Sequence, residues 1–172
     1  GILKKWNKGI KNGVFEVDLI NSKIISGAFS SDGSLLITSH VDSLIHLWKV
    51  DDKRLIGTIE QPNILTRALV FSSDGNFIFH GSDHAIIRMN PTHESNELIS
   101  LKNRRNNKPI HAVAISPKSK LGITGDRLGN IFLWDLEKKR ILKGMVMRGR
   151  NPINIITDIK FSDDSTALII DG

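Results

Sequence analysis

The stretch Gly125–Leu136, GDRLGNIFLWDL, decides the fold: it reads as a polar turn leading into a strand. Asp126 and Gly129 supply the turn, because Gly accepts positive φ and Asp hydrogen-bonds to nearby backbone. Side chains alternate along a strand, which places Ile131 and Leu133 on one face and Phe132 and Trp134 on the other. Because both faces are apolar, we expect neighbouring structure to cover both of them.

Two independent patterns show that this unit is repeated. The phrase FSSDG at Phe29–Gly33 recurs at Phe71–Gly75, 42 residues later, and returns in altered form at Ile115–Ser119 and Phe161–Ser165. The end of the strand recurs at Trp6, Trp48, Met89 and Trp134. These residues are 42, 41 and 45 positions apart, so the two patterns share one period. A shared period predicts tandem structural repeats.

Each period contains four short strand candidates separated by turns. In the three full periods the strands are expected at 24–29, 34–39, 44–50 and 54–60, then at 66–71, 76–81, 85–90 and 96–101, then at 110–115, 120–124, 130–136 and 140–146. A third and a fourth strand are expected at 2–6 and 14–17, and a first and a second at 155–161 and 166–170. Since no segment shows a sustained helical period, the sequence predicts an all-β chain.

The repeated phrases FSSDGSLLITSHVDSLIHLWKV, FSSDGNFIFHGSDHAIIRMN and ISPKSKLGITGDRLGNIFLWDL resemble the WD-repeat β-propeller family. That family has a period of about 40–45 residues with four strands in each blade. The resemblance covers the chain nearly end to end and implies a β-propeller of four-stranded antiparallel blades. It divides residues 1–172, as a propeller or part of one, into blade repeats at roughly 1–19, 20–60, 61–101, 102–146 and 147–172.

Blades of this family are often held together by a Trp, a Ser or Thr, an Asp in a turn, and a His before the first strand. The resemblance implies that Trp48 pairs with Thr38 and with Asp42. It also implies that Trp134 pairs with Thr124, although the Asp position holds Leu128. In the second full blade Met89 replaces the Trp and Phe79 the hydroxyl, leaving Asp83 alone. The expected His positions hold Ile20, Pro62 and Asn106.

The strand count leaves two interpretations open. Sixteen strands amount to four blades, cut between the second and third strands of one blade, whereas propellers have roughly four to eight blades. The favoured interpretation is a piece of a longer propeller, because a partial ring leaves apolar faces and sheet edges uncovered. In the other, residues 1–19 complete the sheet begun by residues 155–172 and close the ring.

Catalytic and metal chemistry find no support in the sequence. The chain has no Cys, and its six His match no zinc spacing, so local hydrogen bonds are expected for them. Ser, His and Asp residues cluster in turns without a nucleophile elbow, and no glycine pattern binds a dinucleotide. We therefore expect no enzyme activity, no cofactor and no metal. The absence of Cys, of a signal peptide and of a transmembrane segment favours an intracellular protein, cytoplasmic or nuclear.

Positive charge is concentrated in one half of the chain. The net charge is +6, residues 98–125 contain six cations and no acid, and residues 127–157 add seven cations. Propeller connectivity would gather part of this charge on one loop face. The candidate residues for binding an anion or a partner there are Lys102, Arg104, Arg105, Lys108, Arg127, Arg148 and Arg150. We expect Arg104, Arg105, Arg148 and Arg150 to share one surface.

Two functions from different classes follow from these observations. The first is a non-catalytic scaffold that presents propeller loops to protein partners, as a subunit of a large complex. The second is a propeller that binds phosphoinositide headgroups or RNA phosphates, because guanidinium groups fit phosphate geometry. Tyr is absent and the other aromatic residues are few, so stacking on RNA bases is less favoured than contact with the backbone. Steep salt dependence would distinguish the second function from the first.

Overall fold

The computed structural model describes residues 2–5, 15–18, 22–60, 65–82, 85–89, 99–102, 108–118, 120–147, 155–162 and 166–171. Within these residues the regular structure consists of sixteen β-strands. These strands form three four-stranded antiparallel sheets and two separate two-stranded sheets. The all-β prediction is therefore confirmed, and so are the antiparallel four-stranded sheets.

The strands pair in chain order within each sheet. The first pair is β1 (Ile2–Lys5) and β2 (Phe15–Asp18). Sheet I consists of β3 (Ile24–Phe29), β4 (Leu35–His40), β5 (Leu44–Lys49) and β6 (Arg54–Glu60). Sheet II consists of β7 (Ala68–Phe71), β8 (Ile78–Gly81), β9 (Ala85–Met89) and β10 (Ile99–Lys102). Sheet III consists of β11 (Ile110–Ile115), β12 (Leu121–Asp126), β13 (Asn130–Asp135) and β14 (Arg140–Val146), and the last pair is β15 (Ile156–Phe161) and β16 (Ala167–Asp171).

Strand positions agree with the sequence prediction to within three residues. In the described residues, the first pair of strands and the last pair are separate two-stranded sheets. The described strands therefore do not show the closure in which residues 1–19 complete the sheet begun by residues 155–172, and that interpretation stays a prediction. Local alternation and turn residues determine each strand, whereas closure requires pairing between distant segments.

The FSSDG phrase folds into a compact turn between the first and second strands of a sheet. In sheet I, the Leu35 amide donates to Ser30 Oγ at 2.9 Å, and Ser30 Oγ donates to Asp32 Oδ1 at 2.6 Å. Gly33 takes a positive φ of 73°, which its lack of a Cβ permits. Hydrogen bonds from Ser30 and Ser34 lower the pKa of Asp32 to about 2. The phrase recurs because each of its polar residues satisfies part of this turn.

These first turns stack on one another from sheet to sheet. Ser31 Oγ in sheet I donates to the Ser73 carbonyl at 2.8 Å, and Ser73 Oγ in sheet II donates to the Pro117 carbonyl of sheet III. The turns between first and second strands therefore share one end of the stacked sheets, which we call the first-turn end. In an antiparallel sheet the turns between second and third strands lie at the opposite end, the second-turn end.

A small residue on each second strand allows the next sheet to pack closely. A Cβ on Gly81 would lie 2.4 Å from Ile110 Cγ2, and one on Gly125 would lie 2.3 Å from Ile156 Cγ2. The equivalent residue in sheet I is Ser39, whose hydroxyl donates to the Thr66 carbonyl at 2.8 Å. Since β3 contacts β7, β7 contacts β11 and β11 contacts β15, the sheets stack through their first strands.

Both faces of β13 are covered, as its sequence predicts. Ile131 is buried with Ile156 and Ile159, on the side of the last strand pair. Trp134 is buried with Phe79 and Leu101, on the side of sheet II. The apolar core therefore consists of layers between successive sheets, and sheets II and III each contribute to two of them.

Candidate interaction surface

The turn of sheet I at the second-turn end exposes an apolar side chain to solvent. Val41 is 50% exposed, and its amide donates to the Lys23 carbonyl at 3.0 Å. The Leu44 amide donates to Asp42 Oδ1 at 3.1 Å, and Ser43 takes a positive φ of 67°. The backbone of this turn is therefore fixed by hydrogen bonds on both sides of the exposed valine.

Burial raises the pKa of Asp42, and the nearby Ser22 hydroxyl together with the hydrogen bond from the Leu44 amide more than offsets that effect, with a further contribution from His40 and His46. The net direction is downward, so Asp42 stays ionised at neutral pH. A charged carboxylate is a stronger acceptor for the turn amide than a neutral one. The charge state of Asp42 thus supports the fixed shape of the turn.

The equivalent turn of sheet III is fixed by a different carboxylate. Asp126 Oδ1 accepts from the amides of Leu128 at 2.8 Å and Asn130 at 2.9 Å, and Asp126 Oδ2 accepts from Asn130 Nδ2 at 2.7 Å. Gly129 has a positive φ of 75°. The turn role expected for Asp126 and Gly129 is therefore observed, and Leu128 stands 54% exposed at the tip.

The Trp–Thr pair occurs in both of these sheets. The indole Nε1 of Trp48 donates to Thr38 Oγ1 at 3.0 Å, and that of Trp134 donates to Thr124 Oγ1 at 3.0 Å. An indole has one N–H, so Asp42 is not a direct partner of Trp48, and that expected pairing is wrong. Asp42 bonds to its own turn instead, because the Leu44 amide lies closer in the chain.

His40 completes the buried polar cluster of sheet I, a role that the sequence analysis missed. His40 Nε2 lies 2.8 Å from Thr38 Oγ1, and His40 Nδ1 lies 3.3 Å from the Ser22 carbonyl. A carbonyl only accepts, so Nδ1 carries the proton and Nε2 accepts from the threonine hydroxyl. The rings of His40 and His46 meet edge to face at 4.8 Å between centroids. The sequence feature that could have indicated this role is a His two residues after Thr38.

The register of sheet II corrects the sequence alignment there. Thr38 pairs with Gly27 and Thr124 with Val113, and the matching residue of sheet II is His80, which pairs with Leu69. Phe79 therefore does not hold the hydroxyl position and faces the other way, into the layer shared with sheet III. Counting ten residues back from Met89 fails because the connection from β8 to β9 is one residue shorter than in sheet I.

His80 is fully buried beside Thr66, which lies two residues before β7. Its Nδ1 lies 3.5 Å from Thr66 Oγ1, and burial lowers the pKa of His80 to about 4. Burial also lowers the pKa of His46, with the proximity of His40 acting in the same direction. These imidazoles are therefore neutral packing groups at pH 7, consistent with the local hydrogen bonds expected for histidines.

Few of the predicted anion-binding residues fall in the described part of the chain. Lys108 and Arg127 are exposed, and Arg127 lies in the turn at the second-turn end. Lys102 ends β10, and only its backbone is described. The other candidates, Arg104, Arg105, Arg148 and Arg150, lie outside the described residues, as does Asp83. The shared arginine surface therefore remains a prediction.

The described residues offer no grouping of three or more His, Asp or Glu that could hold a metal ion. Within the same residues, no helix is long and apolar enough to cross a membrane. What the described second-turn end does present is a set of fixed turns with apolar and charged side chains at their tips.

Comparison with known families identifies the repeat. Residues 18–49 match the family model of the WD domain, G-beta repeat. That match covers β3, β4 and β5 of sheet I, including the Trp48–Thr38 pair. No curated protein gives a significant match to the chain. The resemblance to WD-repeat proteins is thereby confirmed: the chain carries a WD40 repeat at residues 18–49, within an all-β fold of antiparallel four-stranded sheets.

Proposed function

We propose that the chain is a WD-repeat β-propeller, or part of one, and acts as a non-catalytic scaffold that presents its second-turn end to protein partners. One observation carries this proposal: Val41 and Leu128 are 50% and 54% exposed at the tips of equivalent turns. Large apolar side chains held in the open by a hydrogen-bonded backbone favour contact with another protein.

The mechanism is presentation on a rigid support. Asp42 and Asp126 fix the backbone of their turns, so a partner would order little of the chain on binding. Low ordering cost leaves more of the contact energy available for affinity. Arg127, next to Leu128, adds a charged group that would steer the orientation of a partner. A cysteine-free chain is compatible with a complex in the reducing cytoplasm or nucleus.

Site-specific photo-cross-linking tests this function. The photoreactive residue p-benzoylphenylalanine replaces Val41 or Leu128 in the full chain, expressed in the source cells. Leu142 is the matched control, because it is a similarly exposed apolar residue on the outer strand β14. We expect the same discrete protein adducts from positions 41 and 128, and none of these adducts from position 142.

Equal adducts from all three positions would show that the second-turn end is not a preferred surface. Loss of adducts above 0.5 M salt, with recovery of bound RNA or lipid phosphate, would favour the anion-binding function instead. A partner that binds through apolar contacts keeps its adducts at that salt concentration.

A further inference from the structure

The layer between sheets II and III is packed differently from the layer between sheets I and II. Two cross-strand partners of sheet II, Phe71 and Ile78, face sheet I and are buried with Ile37. The equivalent partners of sheet III, which face sheet II, are Ile115 and Gly122. A phenylalanine and an isoleucine are thus replaced by two smaller residues in the same positions.

Part of the space released by these replacements is filled from sheet II. A Cβ on Gly122 would lie 2.8 Å from Cζ of Phe79, so the phenyl ring occupies the place where a side chain would be. The rest remains open as a pocket of about 200 Å³. Its apolar lining consists of Phe77, Ile78, Phe79, Ile115 and Leu136.

Charged residues form the rim of this pocket, at the first-turn end. The Asp74 carboxylate accepts hydrogen bonds from Ser72 Oγ and from the Asn76 amide. Glu137 forms an ion pair with Lys120 at 3.4 Å. Both acidic groups of the rim therefore have partners within the protein.

The rim leaves positive charge available to a ligand. Lys118 is exposed and forms no ion pair within the described residues. Lys138 and Lys139 are exposed in the turn that follows Leu136, and the carboxylate of Asp135 caps the Lys138 amide at 2.8 Å. In the corresponding turn of sheet I, Asp52 stands at the position of Lys138 and Lys53 at the position of Lys139.

We propose that this pocket receives one large apolar side chain from an acidic segment of a partner protein. Small-molecule sites usually enclose about 300–1,000 Å³, whereas this volume is closer to that of a single aromatic side chain. Charge complementarity with Lys118, Lys138 and Lys139 favours acidic residues on either side of that apolar residue. The inference rests on the proposed scaffold function but uses the opposite end of the sheets.

The test is a titration of the full chain with two capped pentapeptides, EEFEE and EEAEE, which differ only in the central residue. Isoleucine methyl resonances report binding by NMR, since Ile115 lines the pocket and Ile45 lies buried in the layer between sheets I and II. We expect EEFEE to shift the methyls of Ile115 and not those of Ile45, and to bind at least about tenfold more tightly than EEAEE, because burial of a phenyl group is favourable.

Two variants locate the binding. Ile115→Phe restores the residue found at 29, 71 and 161 and fills the pocket, so binding of EEFEE should fall at least about tenfold. Lys118→Glu changes only an exposed charge and should weaken binding about fivefold, whereas the control Lys53→Glu in sheet I should leave it unchanged. Circular dichroism confirms that each variant is folded.

Equal affinity of the two peptides, or unchanged binding by Lys118→Glu, would overturn the inference even if Ile115→Phe does not fold. A folded Ile115→Phe variant that still binds EEFEE would do the same. Photo-cross-linking from Val41 and Leu128 does not involve this pocket. If the peptides do not bind, the proposed scaffold function is unaffected. If the photo-cross-linking fails, the peptide titration still tests the pocket.

Discussion

Sheets I and III contain the same Trp–Thr hydrogen bond in different surroundings. The bond is 3.0 Å long in both. Two residues after the threonine, sheet I has His40, which bonds back to Thr38, and sheet III has Asp126, which bonds forward to its turn. The Trp–Thr bond joins the second and third strands in both sheets. The residue two positions after the threonine belongs to the buried polar cluster in sheet I and to the turn in sheet III.

The two tryptophans also differ in what they pack against. Trp134 is buried with Phe79 and Leu101 of the preceding sheet, whereas Trp48 is buried with Leu36 and Val50 of its own sheet. Among the residues whose side chains the structure describes, Trp134 thus joins two sheets, whereas Trp48 packs within one. The difference teaches that equivalent positions of a repeat carry different shares of its stability.

Replacing the tryptophans should have the largest effect on stability and should distinguish sheet III from sheet I. Trp134→Ala should lower the free energy of unfolding by about 3–5 kcal/mol, and Trp48→Ala by less, because only Trp134 fills a layer between described sheets. Urea unfolding monitored by circular dichroism measures both values. Equal losses would contradict the assignment of Trp134 to a shared layer.

Acid should destabilise sheets I and II more than sheet III, because buried histidines of sheets I and II become protonated. His80 titrates near 6.5 when unfolded and near 4 when folded, so its contribution to stability is complete above pH 6.5 and is lost as the pH falls to 4. The loss at pH 4 is about 3 kcal/mol. Hydrogen exchange should therefore show weakened protection in sheets I and II, with less change in sheet III.

The control for this effect is His80→Thr, which introduces the residue found at Thr38 and Thr124. We expect the variant to lose less stability than the parent chain between pH 6.5 and pH 4.5, because only His46 of the two shifted histidines remains. The lowered pKa values of Asp32, Asp42 and Asp74 keep these turn carboxylates ionised in that range. An unchanged pH profile in the variant would show that other groups cause the loss.

Removal of the threonine hydroxyls tests how much the neighbouring residue matters. Thr38→Val leaves Trp48 Nε1 and His40 Nε2 without their shared partner and should cost about 2 kcal/mol. Thr124→Val leaves only Trp134 Nε1 without its partner and should cost about 1 kcal/mol. Thermal unfolding of both variants measures the difference. A larger cost for Thr124→Val would contradict the network around His40.

The smallest effect is expected at the exposed first turns. Ser73→Ala removes one hydrogen bond between sheets II and III and should cost less than about 1 kcal/mol, because water replaces the lost partner. Ser31→Ala removes the matching bond between sheets I and II and should have a similar effect. Thermal unfolding in parallel shows whether either bond exceeds that limit.

The strands were predictable because each is bounded by turn residues and alternates in hydrophobicity. The opening stretch illustrates this: the two faces of Ile131 and Trp134 follow from the period of two, and the turn follows from Asp126 and Gly129. These features depend on neighbours in the chain, so the sequence contains them directly.

Features that depend on register or on contacts between sheets were not predictable in the same way. His80 holds the threonine position of its repeat. An alignment counted back from Met89 assigns that position to Phe79 instead, because the connection from β8 to β9 is one residue shorter than in sheet I. The pocket depends on Ile115, Gly122 and Phe79 together, from two sheets. Ile115 breaks a visible pattern, but its consequence appears only when the sheets are stacked.

The account depends most on sheets I, II and III stacking with their first turns at one end. The chain has no cysteine, so the double variant Ser31→Cys/Ser73→Cys reports this directly through a short bismaleimide cross-linker. The control pair is Ser31→Cys/Leu128→Cys, which joins opposite ends. Rapid intramolecular cross-linking of the first pair and none of the second is the predicted result. Equal cross-linking of both pairs, or none of the first in the folded chain, would contradict the stacked arrangement.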